Sequence, residues 1–326
     1  MAVLVTGASG FVGAKLAREL VARGEEVRVL HRPSSSLEEL NGLKIVSCLG
    51  DVTDLESLRQ AVRGVDTVYH LAGVVGYSRA MRTQMDQVNI GGTKNVIAAM
   101  SEVPRAKLIY MSSVVAIGAS FDKRRLNENS PYNLRHLNLG YFETKRIAEE
   151  LVVAAVRQGR FESVILNPST IYGAADAKKG SRNTQIQVAR GKLPFYTSGG
   201  VSVVSVHDVV KAILRAREVG VNGERYILSG ENLTIYELFS RIAALAVVAP
   251  PSIYMPNALV LGLGKVGDWL EKWGKKGPVN TERAWTSILY HWFDNSKAKR
   301  HLDFNPRPAQ EALSESVTWM KENGVL

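Results

Sequence analysis

Tyr141 and Lys145 stand four residues apart in the stretch GYFETKRIAEE. On a helix that spacing stacks the two side chains on one face. A phenol beside an ammonium group is an apt pair for moving a proton. An amphipathic helix with two unrelated polar residues shows the same pattern, so the pair alone does not decide. A second stretch also carries chemistry. VLVTGASGFVGAKLARELV places Gly7, Gly10 and Gly13 directly after a short apolar run and at the mouth of a helical pattern. In that context Gly7 permits a tight turn and Gly10 lets the backbone approach a pyrophosphate. Gly13 lets helix and strand pack closely. The helix opening at Phe11 and Val12 then turns its free N–H groups and positive end toward the phosphates.

Two more positions bear on that dinucleotide. An acid after the second strand would hold a ribose 2′-hydroxyl and mark NAD. Here that strand ends VLHRPSSS, with His31 and Arg32 in its place. Arg32 suits a 2′-phosphate, so NADP(H) is expected over NAD(H), with NAD(H) as the other possibility; Arg32 covering only the adenine face is the plainer reading. Asp51 and Val52, closing the third strand, suit adenine: a carboxylate for the exocyclic amine and a backbone N–H for a ring nitrogen. A cap for the next helix is the plainer reading of Asp51.

These residues need a scaffold, and the chain supplies its pattern. Apolar runs (AVLV, EEVRVLHR, KIVSCLGDV, DTVYHLAG, AKLIYMSSV, FESVILNPSTIYG) alternate with helical stretches such as LESLRQAVRG, VNIGGTKNVIAAMSEV and YFETKRIAEELVVAAVRQ. Nearly continuous apolar strands alternating with helices predict a parallel sheet covered on both faces, a doubly wound α/β fold. The expected organisation is a dinucleotide-binding unit over 1–173, with a strand returning near 224–229, and a smaller, mostly helical substrate lobe over 174–326. In that lobe SRNTQIQVARGKL reads as a helix, and Thr234 with Glu237 as a capping box. Asp208 reads as a helix cap, or with His207 as a substrate contact. MPNALVLGLGKVGDWLEKWGKKG, over 255–277, reads first as a lobe helix packed on the core. A hydrophobic lid and a helix lying on a membrane surface are its other readings.

Composition narrows the field. The 326 residues are 45% hydrophobic, ample for a core, and carry one cysteine, Cys48. No internal disulfide and no cysteine-rich metal site can form, and a cytoplasmic location is expected. No run approaches the ~18 apolar residues of a membrane span. The net charge of +10 is dispersed apart from short clusters such as Lys123-Arg124-Arg125 and Lys275-Lys276. With no nucleic-acid motif, it reads as a solvated basic surface.

TGASGFVG, GDVTD, HLAG, VNIGGTKNV, YMSSV, Tyr141-x-x-x-Lys145 and NPSTIYG occur in this order. Together they resemble an extended short-chain dehydrogenase/reductase of the NAD(P)-dependent epimerase/dehydratase superfamily. VILNPSTIYG, GERYILSGENLT and NPRPAQEALSESVTWMKENG are similar to its dihydroflavonol-4-reductase-like and hopanoid-associated sugar epimerase group. The resemblance implies Tyr141 as general acid/base, and Lys145 holding the nicotinamide ribose and lowering the phenol pKa. It implies Ser113 as the hydrogen-bond partner of the substrate oxygen, with Ser112 a neighbouring alternative. Leu71, Ala72 and Gly73 would line the cofactor channel, and Asn167, Pro168 and Ile171 would pass under the nicotinamide. Asn89 matches a family helix position whose role is at least as much structural.

Dehydratases of this superfamily place an Asp-Glu pair after the catalytic hydroxyl residue, where Val114-Val115 stand here. Epimerases that retain NAD carry the acid missing after the second strand. The reading that remains is an NADPH-dependent reductase of a ketone or aldehyde, its small-molecule substrate hydrophobic if the lid reading holds. A sugar or nucleotide-sugar epimerase and a non-catalytic NADP(H)-binding sensor are the alternatives. Tyr77, Arg79, Met81, Tyr172, Phe195 and Tyr196 are candidate pocket residues. Leu151, Val152, Val153, Ala155 and Val156 on the Tyr-Lys helix would serve a homodimer, or pack on the sheet.

Overall fold

The structure is a computed structural model that describes residues 1–178, 182–275, 277 and 279–326. Lys276 of the second basic cluster and Ser181, at the start of the helix expected in the lobe, lie outside the described residues.

Apolar segments bounded by Gly and polar residues form the strands of the main sheet: β1 (Ala2–Thr6), β2 (Glu26–His31), β3 (Ile45–Leu49), β4 (Thr67–His70), β5 (Lys107–Met111) and β6 (Glu162–Pro168). The chain then adds β7 (Thr170–Tyr172), β8 (Phe195–Tyr196), β9 (Gly200–Ser205), β10 (Arg225–Leu228), β11 (Glu231–Thr234), β12 (Ile253–Tyr254) and β13 (Tyr290–His291). Among the described residues the main sheet has seven strands in the order β10-β6-β5-β4-β1-β2-β3, all parallel. The order reverses between β1 and β4, and at such a switch point open α/β sheets bind ligands beyond the strand carboxyl ends.

Helices cover both faces. α1 (Phe11–Ala22), α2 (Leu55–Ala61), α3 (Arg82–Met85), α4 (Gly92–Ser101), α5 (Gly140–Arg157) and α6 (Asn183–Ala189) are followed by α7 (Val206–Val219), α8 (Ile235–Ala246), α9 (Asn257–Lys272), α10 (Thr281–Ile288), α11 (Ser296–Leu302) and α12 (Ala309–Glu322). On one side Leu16 and Leu20 of α1, Val209 and Ile213 of α7 and Leu302 of α11 meet Val3, Val5 and Val29 of the sheet. On the other, Leu58, Val96 and Val152 from α2, α4 and α5 meet Leu4, Val68 and Leu108. Val152 and Ala155 of α5 are buried in this second layer, with Leu151, Val153 and Val156 half-buried against it. The apolar side of the Tyr-Lys helix is thus occupied by its own sheet.

Three expectations are corrected. FESVILNPSTIYG is two strands, because the chain leaves the main sheet at Ser169: β6 pairs with β5 and β10, while β7 pairs with β9 in a second sheet. VNIGGTKNV is not one regular helix, since Asp86–Gly91 is a π-helical turn before α4. Asp208 does not cap α7. The Ser205 hydroxyl accepts from the His207 N–H, while the Asp208 carboxylate accepts from the backbone N–H and guanidinium of Arg307. The Thr234/Glu237 capping box of α8 forms as its sequence requires.

Candidate active site

The glycine loop sits at the switch point. Gly7 has φ +73°, a conformation glycine adopts without a Cβ penalty. A Cβ there would lie 2.7 Å from the Ala72 nitrogen, and one on Gly13 would lie 2.8 Å from the Ala8 Cα. The loop after β1 therefore closes on the loop after β4, and α1 closes on its own turn. Nothing in the first turn of α1 is acidic, and no side chain caps its N-terminus at Gly10. The positive end of α1 therefore faces the loop after β1, and this cradle fits the pyrophosphate of a dinucleotide.

Buried hydrogen bonds fix the channel wall at Leu71, Ala72 and Gly73. Thr6 Oγ1 lies 2.8 Å from His70 Nδ1 and accepts from the Ala72 N–H; His70 Nε2 lies 3.3 Å from Thr93 Oγ1. Burial, aided by the Lys145 charge, lowers the His70 pKa to about 3, so this imidazole is a neutral strut. Asn89, inside the π-helical turn, accepts from the Val74 N–H at 2.8 Å and donates to the Val74 carbonyl at 2.9 Å. Its side chain is spent on holding the β4 loop.

Just after β2 Arg32 is exposed, its Nε 3.8 Å from Asp51 Oδ2. The other Asp51 oxygen accepts from the backbone N–H and hydroxyl of Thr53, each at 2.8 Å, but the cap of α2 is Asp54, whose carboxylate accepts from the Glu56 N–H at 3.0 Å. Val52 is buried against Gly92.

The candidate reaction residues lie where α5 starts. The Ser113 hydroxyl, which accepts from the Val115 N–H at 3.4 Å, faces the Tyr141 phenol. Ser112 is buried, its hydroxyl without a partner among the described residues, so Ser113 is the serine that faces this site. One helical turn beyond Tyr141, Lys145 Nζ donates to the Met111 carbonyl at 2.8 Å and lies 5.3 Å from the centre of the Tyr110 ring. Burial lowers the Lys145 pKa to about 8, against the opposing charge of Glu149. The phenol departs from expectation. Burial, with the neighbouring Tyr77, pushes the Tyr141 pKa up, and Ser113 is the group that opposes the rise. The Lys145 ammonium gives one of its three N–H donors to the Met111 carbonyl.

Four supporting residues carry no mark in the sequence: Glu282, Asn280, Glu149 and Arg182. Glu282 Oε1, from α10, accepts from the Gly140 N–H at 2.9 Å and serves the otherwise uncapped start of α5. Asn280 Nδ2 donates to the Tyr77 carbonyl, and the Tyr77 ring meets Tyr141 edge-on at 6.0 Å. Asn167 Nδ2 donates to the Ser113 carbonyl at 3.0 Å and to the buried carboxylate of Glu149 at 2.6 Å. Arg182 is buried over the Tyr172 ring, paired with Asp176, and donates to the Ile171 carbonyl. Only the capping role had a local signal, in the lack of an N-cap side chain at Leu139. The others depend on contacts across the chain.

Of the other candidates, Pro168 is buried at the end of β6 and Ile171 half-buried in β7. Phe195 and Tyr196 lie in the β8/β12 pair, where Tyr196 packs on Tyr236 and Tyr254. Neither contacts the Tyr141 group.

Comparison with known proteins agrees with this geometry. Residues 3–229 match the model of the "NAD dependent epimerase/dehydratase family". The chain is 30% identical to Sterol demethylase protein B of Methylococcus capsulatus, covering 100% of both chains. It is 28% identical to a 3-beta-hydroxysteroid dehydrogenase of Mycolicibacterium neoaurum, covering 97% of this chain and 90% of the relative. The crystal structure of gox2253 superposes with a TM-score of 0.88 at 32% identity, covering 100% and 99% of the two chains. The chain therefore belongs to the NAD dependent epimerase/dehydratase family, the extended short-chain dehydrogenases/reductases, and is an NAD(P)-dependent oxidoreductase.

Proposed function

We propose that this protein reduces a ketone or aldehyde on an apolar small molecule to the alcohol, with NADP(H) as its dinucleotide. The observation that carries this reading is the Ser113 hydroxyl facing the half-buried Tyr141 side chain, with buried Lys145 one turn on. The bound dinucleotide supplies the hydride. The protein supplies the rest. The substrate oxygen takes hydrogen bonds from Ser113 and Tyr141 while negative charge gathers on it; removing one such donor typically costs about 2.7–4 kcal/mol of transition-state stabilisation. A phenol held above its usual pKa keeps its proton at neutral pH, the form needed to donate that proton to the oxygen. Lys145, lowered to about 8, sits close enough to neutrality to exchange its own proton readily.

Arg32 is open to solvent at the end of β2, where a 2′-phosphate would be recognised, and its long exposed pair with Asp51 costs little to break. Val114 and Val115 after Ser113 offer no carboxylate for elimination chemistry. The names of the sterol and hydroxysteroid relatives favour an apolar substrate, as do the Tyr77 and Tyr141 rings at the site.

The test is NADPH consumption, followed by absorbance, with a panel of aldehydes, diketones and apolar cyclic ketones. Wild type consumes NADPH with at least one of them. Tyr141→Phe loses roughly 10²–10⁴-fold in rate and keeps its dinucleotide affinity. Equal turnover in the variant refutes the proposal. So does tight NADPH binding with no consumption, or a nucleotide sugar that changes configuration with no net cofactor use.

A further inference from the structure

Helix α9 uses only one side to hold itself to the protein. Val260, Gly264 and Gly267 are buried there. A Cβ on Gly264 would lie 2.9 Å from the Ala284 Cβ, and one on Gly267 2.8 Å from the Val279 carbonyl carbon. The acid on this helix that faces the protein is satisfied: Asp268 accepts from the Thr281 N–H at 3.1 Å and lies 3.8 Å from the Arg79 guanidinium.

The outward side is apolar where a surface helix is normally polar. Leu259, Gly262, Val266, Trp269 and Trp273 recur three and four residues apart, one continuous stripe. Leu259 is 52% exposed, Val266 50%, Trp269 58% and Trp273 71%, and the two indoles pack on each other at 6.2 Å. Phe195, Ile253 and Tyr254 of the β8/β12 pair, which leads into α9, are exposed as well. Beside the stripe stand Lys265, Lys272 and Lys275, all exposed, against one exposed carboxylate, Glu271.

We propose that α9 docks this protein on an anionic lipid bilayer, lying in the plane of the headgroups. Two indoles and two aliphatic side chains reach the acyl boundary, and the three lysines meet lipid phosphates. Indole suits that depth, since its ring is apolar and its N–H finds an acceptor among the headgroups. The charge decides between occupants. A second copy of this chain would bring the same lysine excess to the contact, whereas an anionic surface is its complement. Crossing is ruled out by size: α9 has 16 residues, about 24 Å at 1.5 Å each, and no helix among the described residues is long and apolar enough to span a membrane.

The experiment is co-sedimentation of the full-length protein with vesicles of phosphatidylcholine alone or mixed equally with phosphatidylglycerol, at low and high salt. Tryptophan emission is read in parallel. The expected result is binding to the phosphatidylglycerol vesicles, weakened by salt, with a blue-shifted emission. Trp269→Ser with Trp273→Ser should weaken binding by about tenfold or more, and so should Lys265→Glu with Lys272→Glu and Lys275→Glu. All five side chains are on the surface and outside the Ser113–Tyr141–Lys145 group, so melting temperature and NADPH affinity should not change. No sedimentation with anionic vesicles at low salt overturns the proposal, as does equal binding by the tryptophan variant. Self-association in light scattering that the tryptophan variant abolishes would assign the face to a second copy instead. None of these readouts involves turnover, so the docking proposal stands or falls apart from the reductase reading.

Discussion

Lys145→Met should make the protein more stable while abolishing its activity. The ammonium group is buried, and its pKa falls from 10.5 to about 8. A drop of 2.5 units, 10.5 − 8, at 1.36 kcal/mol each means that holding the charge inside costs about 3 kcal/mol near pH 7. Methionine fills a similar volume without a charge. It also forfeits the 2.8 Å hydrogen bond to the Met111 carbonyl, roughly 1.5–3 kcal/mol for a charged donor. The net expectation is a gain of about 1 kcal/mol at pH 7. The pH dependence makes the argument sharper. The native state releases the Lys145 proton near pH 8, while the unfolded chain keeps it to about 10.5, so the unfolded state binds more protons between the two. Wild-type stability therefore rises through that window by a contribution the variant lacks. Urea unfolding of both proteins at pH 7 and pH 10 measures it: the advantage of the variant should vanish or reverse at the higher pH. A variant already less stable at pH 7, with a difference that does not move with pH, would show that the ammonium is not held at a cost and refute the reasoning.

The remaining expectations concern the cradle and its supports. Gly13→Ala places a methyl group 2.8 Å from the Ala8 Cα, so the glycine loop must open, and NADPH affinity measured by fluorescence titration should fall by about tenfold or more. Arg32→Ala removes the expected 2′-phosphate partner; NADPH affinity should drop by roughly 10–100-fold with NADH binding unchanged, and equal losses for both would show that Arg32 serves only the adenine face. Glu282→Ala leaves the Gly140 N–H without its acceptor and should lower stability by about 1 kcal/mol. Because burial already raises the Glu282 pKa, Glu282→Gln, which keeps an acceptor and removes the charge, should melt no lower than wild type.

Much of this protein is legible along the chain because the relevant physics is local. Alternating apolar strands and amphipathic helices need a parallel sheet to bury both faces. A glycine triplet between β1 and α1 needs no distant partner to be read, since the turn and the helix N-terminus make the phosphate cradle together. Four-residue spacing alone puts Tyr141 and Lys145 on one face of α5, and Thr234 with Glu237 closes its own capping box.

What only the tertiary structure decided depends on residues far apart in sequence. Ser112 and Ser113 are equivalent on paper; the placement of β5 against α5 turns one toward the phenol and buries the other. Ser169 looks like mid-strand, yet there the chain trades the main sheet for a second sheet, because β9 offers another edge. Asp208 has the composition of a cap and the position of a tether, since Arg307 lies beside it. Tyr141 reads as an acidified phenol by its neighbour in sequence, and burial raises it instead. In each case desolvation and long-range pairing outweigh the local pattern, and neither is a property of a short stretch of chain.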